Sequence, residues 1–325
     1  MNVLFIIGNG FDKNLDIPTG YSDFYDYYLS KENDKNENVI ALKDSIASDR
    51  NNWSDLEYQL GHYVAGLSSE KEANDLHVDI KTNLIEYLFS VTSGYSCKDS
   101  QRAKFYDDLK NPENYLLYDD KNTMISYKNR EAYKNIRVMT FNYDCIFEMI
   151  ANYNSSKVVI DSNHEITTVV HIHGTLDEGM IFGVDNEEQF HNQNLLKKPL
   201  INTKYIKSNY NKIARDGKEA RCRAMIQDSH IIYMFGVSIG ETDKRWWQYI
   251  VNRLHSGNCR LVIFWYSEQS LSNQQLAELW ILEQGVKDKL LSYSDLNEEE
   301  KAIVKERIFV KINSDFLKIK LEKQG

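Results

Sequence analysis

Apolar residues fall in short unbroken runs separated by longer stretches of helical spacing. The run at 3–7, Val-Leu-Phe-Ile-Ile, is apolar on both sides of a strand, as in the buried centre of a parallel sheet. Comparable runs predict strands at 136–141, 158–160, 167–172, 179–182, 230–235 and 260–266, with 308–318 a last strand or helix. Helical stretches fall between them: one through Ile150, a pair over 186–227, one from near Thr242, then 270–284 and 295–306. From 21 to 130 the spacing is helical, with little strand signal. It opens on an aromatic stripe, Tyr21, Phe24, Tyr25 and Tyr28, for which Thr19 or Ser22 is the expected cap. Further helices are expected at 38–47, 54–65, 70–91 and 100–110, with surface loops at 32–38 and 111–129.

Strands alternating with helices predict an α/β fold: a Rossmann-like, doubly wound, mostly parallel sheet. The strand at 3–7 must join it, because a lone strand cannot bury two faces. The expected organisation is one domain over 1–325, with a core of 1–20 and 131–325 and a helical insertion at 21–130.

Composition narrows the function. The formal net charge of -9 opposes a general nucleic-acid binder, which needs a basic face. The lysines at 197, 198, 204 and 207 read as a solvated loop. No apolar stretch is long enough to span a membrane, and a core strand follows Met1 directly, so neither a membrane span nor a signal peptide is expected. Cys97, Cys145, Cys222 and Cys259 form no C-x-x-C pair. They read as reduced thiols of a cytoplasmic protein without a metal.

Ligands of open α/β sheets bind beyond the carboxyl ends of the strands. Four polar clusters follow expected strand ends: Gly8-Asn9-Gly10-Phe11-Asp12, Thr140-Phe141-Asn142-Tyr143-Asp144, His171-Ile172-His173-Gly174 and Gly236-Val237-Ser238. The first lets backbone N–H groups approach a phosphate at a helix start, although the third glycine of the dinucleotide fingerprint is missing. Each cluster also has a structural reading: a tight turn, a cap for Asn142, a satisfied core histidine for His173. Asp55 and Glu57 either close over the pocket or merely open a solvent-facing helix. Trp246 and Trp247 read as core, and Asp243 as a helix-start charge.

Taken together, the clusters resemble sirtuins in type and in order. Those enzymes carry a Gly-x-Gly loop followed by Ile-Pro, here Gly8-Asn9-Gly10 and Ile17-Pro18. They continue with Asn-x-Asp, here Asn142-Tyr143-Asp144, then His-Gly, here His173-Gly174, and Gly-x-Ser, here Gly236-Val237-Ser238. The longer phrases Ile7-Gly-Asn-Gly-Phe-Asp12, Asn52-Trp-Ser-Asp-Leu-Glu57, Thr140-Phe-Asn-Tyr-Asp144, His171-Ile-His-Gly174 and Gly236-Val-Ser-Ile-Gly-Glu-Thr-Asp243 resemble the AbiH abortive-infection family, a sirtuin-like branch. The resemblance departs from sirtuin deacetylases in lacking a four-cysteine zinc module and in carrying Thr19-Gly20-Tyr21 and Asp12 where they have Asp-Phe-Arg and Ser. It therefore implies NAD cleavage to ADP-ribose and nicotinamide rather than deacetylation.

On that resemblance Asn142, His173 and Asp144 are the catalytic candidates. Asn142 and His173 orient and activate water or a ribose hydroxyl, and Asp144 holds the nicotinamide amide. Gly8, Asn9 and Gly10 would cradle the pyrophosphate, with Phe11 beside them in the cofactor-binding set; Asp12 would hold the nicotinamide amide or favour the positive sugar, and Gly236 and Ser238 would hold the adenosine half. His171 reads as structural. Implied partners are NAD, a second copy of the chain and a phage-derived trigger. The alternative is a non-catalytic sensor or assembly module that binds NAD or an ADP-ribose-like nucleotide in the same pocket.

Overall fold

The computed structural model describes residues 1–31, 35–215, 217–269 and 275–323. Nine strands are described: β1 (Asn2–Ile7), β2 (Tyr95–Ser96), β3 (Lys134–Thr140), β4 (Val158–Val159), β5 (His164–His171), β6 (Ile231–Phe235), β7 (Arg260–Trp265), β8 (Ile308–Ile312) and β9 (Glu322–Lys323). Seven form one sheet in the order β4-β5-β3-β1-β6-β7-β8. All pairings in it are parallel except that of β4 with β5. β2 and β9 pair separately.

Both faces of the sheet are covered, which is why its strands read as continuous apolar runs. Val3, Phe5 and Ile7 point into one core, with Phe105, Tyr127, Tyr233 and Phe316. Leu4 and Ile6 point into the other, with Trp246, Trp247 and Ile250. A third core lies apart from the sheet, where Phe24, Tyr25, Tyr28, Leu60 and Leu76 meet Phe182, Phe190 and Tyr205. The helical lobe is thus built from two chain segments. Residues 180–206 close it from beyond β5, while the helices Asp99–Lys110 and Tyr118–Lys128 leave it and cover the sheet.

The second of these helices corrects the loop expected at 111–129. Its polar surface hides a one-sided apolar contact, with Met124 and Tyr127 buried on the sheet. The strand expected at 179–182 is irregular backbone. Its apolar residues serve the helical lobe and it meets no strand ladder, although Ile181 N–H donates to the His173 carbonyl at 2.7 Å. The expected helical pair over 186–227 is broken into Gln193–Leu196, Pro199–Tyr205, Lys207–Ala214 and Lys218–Gln227. Gly20, not Thr19 or Ser22, caps the helix Tyr21–Ser30, and its N–H donates to Asp23. The start of the loop expected at 32–38 and of the helix expected at 270–284 lies outside the described residues; the helices begin at Glu37 and Leu276. None of the described helices is long and apolar enough to cross a membrane.

Candidate functional site

The four polar clusters meet at the carboxyl ends of β1, β3, β5 and β6. The first contact is glycine on glycine. Gly10 N–H donates to the Gly236 carbonyl at 2.9 Å, Gly8 N–H to that of Phe235 at 3.0 Å, and Phe11 N–H to that of Gly8 at 2.9 Å. A Cβ on Gly10 would sit 2.6 Å from the Gly236 Cα, and Gly236 itself holds φ +70°. These glycines therefore let two loops touch across the β1–β6 boundary. Their amides are spent within that contact, so little of the expected phosphate cradle remains beyond the exposed Asn9. The ring of Phe11, named in the cofactor-binding set, lies in the core against Phe105, Phe147 and Phe235. Ser238 is exposed at the rim. The buried Ile239 beside it holds φ 52°, a costly conformation for a β-branched residue.

Beneath this contact lies a buried carboxyl pair. Asp12 Oδ2 accepts from Asn142 Nδ2 at 3.0 Å and from the Thr19 hydroxyl at 3.2 Å, while that hydroxyl also bonds Asn9. Asp144 caps the next helix by accepting Ile146 N–H at 3.0 Å. Burial, then the facing Asp144, pushes the Asp12 carboxyl well above the usual carboxylate range. Burial raises Asp144 as well, but its bond from Ile146 and its neighbours Asp12 and His171 oppose the rise. The balance of these effects favours a proton on Asp12 over one on Asp144.

This arrangement separates two substitutions. Asp12→Ala removes the acceptor of Asn142 and should destabilise the fold by about 1–3 kcal/mol, the cost of an orphaned buried donor. Asp12→Asn mimics the protonated acid, accepting from Asn142 and donating to Asp144, and should match or exceed wild-type stability at pH 7. A folded carboxyl raised above its unfolded value is penalised as pH rises past the unfolded value and through the folded one. Wild type should therefore lose stability over that window and Asp12→Asn should not. Urea unfolding of the three proteins from pH 4 to 8 checks this; equal losses in both variants would remove the protonated-acid assignment.

On the other side of Phe141, whose ring lies 5.5 Å from that of His173, runs a second buried network. His173 Nε2 meets Asp243 Oδ1 at 2.9 Å, Asp243 faces Lys207 Nζ at 3.6 Å, and Lys207 binds Glu57 Oε2 at 2.8 Å. Glu57 Oε1 accepts from Gly183 N–H at 3.0 Å and from the Tyr143 hydroxyl at 3.3 Å. Burial opposes charge on Asp243, yet Lys207 and then His173 hold its carboxyl down at about 2. The same carboxylates outweigh burial at Lys207 and raise it above its ordinary value.

Several expectations change here. Lys207 is 2% exposed and is no part of a solvated loop. Asp243 is the partner of His173, not only a helix-start charge. Glu57 is buried, and Asp55 caps the helix Leu56–Tyr63 while accepting from the Thr242 hydroxyl at 3.3 Å. Lys207 left no clear signal in the sequence; the phrases Asn52-Trp-Ser-Asp-Leu-Glu57 and Gly236-Val-Ser-Ile-Gly-Glu-Thr-Asp243 pointed to this region without assigning Asp243 its histidine partner. Trp246 and Trp247 are core, as expected.

Asn142 and His173 belong to different hydrogen-bond groups, joined through the segment 140–144. Each keeps one buried polar atom without a protein partner: Asn142 Oδ1 and His173 Nδ1. An anionic Asp243 can only accept, so in the neutral imidazole the hydrogen sits on Nε2 and Nδ1 keeps its lone pair. His171 is held on both sides, by the Asn142 carbonyl at 2.8 Å and Glu148 Oε1 at 2.5 Å. Burial opposes its charge, but Cys145 and Glu148 raise it to about 10.

Residues 4–265 match the family model described as bacteriophage abortive infection AbiH. That span contains every site residue named above. No curated protein matches the chain.

Proposed function

The chain belongs to the AbiH family of bacteriophage abortive infection, and on that premise we propose that it is a defence effector that hydrolyses NAD to ADP-ribose and nicotinamide. One observation carries the reading: Asn142 Oδ1 and His173 Nδ1 are buried polar atoms without protein partners, on side chains otherwise held in place. Buried polar atoms are normally satisfied, so such a pair asks for a ligand. The order of the six parallel strands supports a dinucleotide. Numbered among themselves they lie 3-2-1-4-5-6, the Rossmann order, and the glycine contact sits at its topological switch point, between β1 and β6.

The carboxylates suit the substrate. Nicotinamide leaves NAD from a cationic ring and departs neutral, so no acid is needed on the leaving group. Positive charge passes to the ribose, which Asp144 and the anionic Asp243 network favour. Asn142 Oδ1 accepts from a ribose hydroxyl or the attacking water. His173 Nδ1 takes the water proton as oxygen bonds to C1′ and the C1′–nitrogen bond breaks. The products are ADP-ribose, nicotinamide and one proton. The enzyme acts in the cytoplasm, assembles as a homo-oligomer and responds to a phage-derived trigger.

Incubation of the purified protein with NAD, following nicotinamide release, tests the reading. Wild type should release nicotinamide and Asn142→Ala should be slowed at least tenfold; equal rates would remove Asn142 from the mechanism. A second reading has its own support. Gly8, Gly10 and Phe11 spend their amides on each other and on the β6 loop, leaving fewer donors for a pyrophosphate. That favours a sensor that holds NAD or ADP-ribose without cleaving it. Calorimetric binding without nicotinamide release would select it.

A further inference from the structure

Beside the Asn142 carbonyl three side chains of different chemistry converge. Cys145 immediately precedes the helix Ile146–Ala151, Glu148 lies one turn along it, and His171 ends β5. The Cys145 Sγ, a Glu148 carboxylate oxygen and a His171 ring nitrogen all lie within 4.8 Å of one another. His171 Nδ1 faces the Asn142 carbonyl at 2.8 Å. A carbonyl only accepts, so Nδ1 carries the hydrogen and the tautomer is fixed. Nε2 then points at Glu148 Oε1, 2.5 Å away. The other oxygen, Glu148 Oε2, is buried and has no partner. The Cys145 side completes the group at the surface, where the residue is exposed.

We propose that Cys145, Glu148 and His171 bind a divalent transition metal of the zinc class. A thiolate, an imidazole and a carboxylate are the donors such an ion takes, with water from the open side as the fourth ligand. The His171 hydrogen bond to a backbone carbonyl is the outer contact that metal-ligating histidines use to fix the ring. The metal replaces a proton: Nε2 and the Cys145 thiol each release one to solvent, and the cation takes the place of the Nε2–H facing Glu148. The His171–Glu148 contact widens to about 3.3 Å, as tetrahedral bonds of about 2.0–2.1 Å require. Nucleophilic use of Cys145 is disfavoured by the same geometry, because both ring nitrogens of His171 are committed and neither is free to take the thiol proton. The site goes beyond the NAD reading and does not rest on it. Its effect on the fold is to tie the Asn142 carbonyl, and so the whole 140–148 segment, to β5.

The full chain, stripped with a chelator, is titrated with cobalt(II), followed by zinc(II). One equivalent of cobalt should give a thiolate-to-metal charge-transfer band in the near ultraviolet and four-coordinate d–d bands, both bleached by zinc. At about a hundredfold excess over Kd, zinc should raise the melting temperature by a few degrees. Cys145→Ser changes an exposed side chain, so its circular dichroism should match wild type while the charge-transfer band and the zinc shift disappear. Glu148→Gln should weaken zinc binding at least tenfold. Absence of the bands in wild type, or bands and shift that persist in both Cys145→Ser and His171→Gln, would overturn the site.

Discussion

Replacing His173 with alanine should slow NAD cleavage about 10²- to 10⁴-fold, the range lost with a positioned general base. The affinity for NAD should change only a few-fold, since the imidazole acts on the water rather than on the dinucleotide. Asp243→Asn should come close to the same loss. Its carboxylate accepts from His173 Nε2 at 2.9 Å and leaves Nδ1 unprotonated. An amide can present its N–H to Nε2 instead and move the proton to Nδ1, where the base is needed. The double substitution should be little worse than His173→Ala alone, because the two act as one unit. Nicotinamide release under saturating NAD, with calorimetry for binding, measures both parts. A His173→Ala protein that binds NAD and keeps more than about a tenth of the wild-type rate would end the assignment of His173 as base.

Lys207→Ala should be the most destabilising single change, costing about 3–5 kcal/mol, the range for breaking a buried ion pair from one side. The lysine lies between Glu57 at 2.8 Å and Asp243 at 3.6 Å, and all three belong to different parts of the chain. Its loss leaves two acids facing each other without a cation. Lys207→Met, which keeps the apolar stem, should recover packing but not the charge, and should remain well below wild type. The pH dependence carries a second signature. A carboxyl depressed when folded contributes stability that is present above its unfolded value and lost as pH falls through the folded one. For Asp243 that loss runs from the model-peptide value of 3.8 down to about 2 in wild type, and it should move upward in both lysine variants. Urea denaturation between pH 2.5 and 7 reads magnitude and window together. A loss under about 1 kcal/mol with an unchanged acid limb would show that the network is not what holds the helical lobe to the strand ends.

His173, Asp243, Lys207 and Glu57 form one connection. Glu57 lies on the helical lobe, Lys207 directly after the segment that closes that lobe, and Asp243 in the turn that follows β6. His173 is thus oriented by groups from three elements. The chain Glu57–Lys207–Asp243–His173 thus links the helical lobe to the strand ends through direct contacts.

The sequence by itself determined the sheet and the strand ends at which the polar clusters gather. Runs such as Val3 to Ile7 and Ile231 to Phe235 are apolar on every residue, and only burial on both faces suits that pattern. Glycine, asparagine and histidine directly after such runs marked the strand ends, because polar groups there must serve either a turn or a ligand. Helical spacing found the long helix Glu70–Thr92 but missed Tyr118–Lys128, where two apolar contacts suffice. What only the tertiary structure decided was who faces whom. Asp12 is read as a ligand group until Asn142, 130 positions away, is found bonded to it. Lys207 looks like a surface lysine until Glu57 and Asp243 close around it, and Cys145, Glu148 and His171 become a set only when the helix after β3 packs beside β5. Hydrophobic burial is written locally, in the spacing of apolar residues. Charge pairing and hydrogen bonding depend on distances across the chain, and those exist only once the burial has folded it.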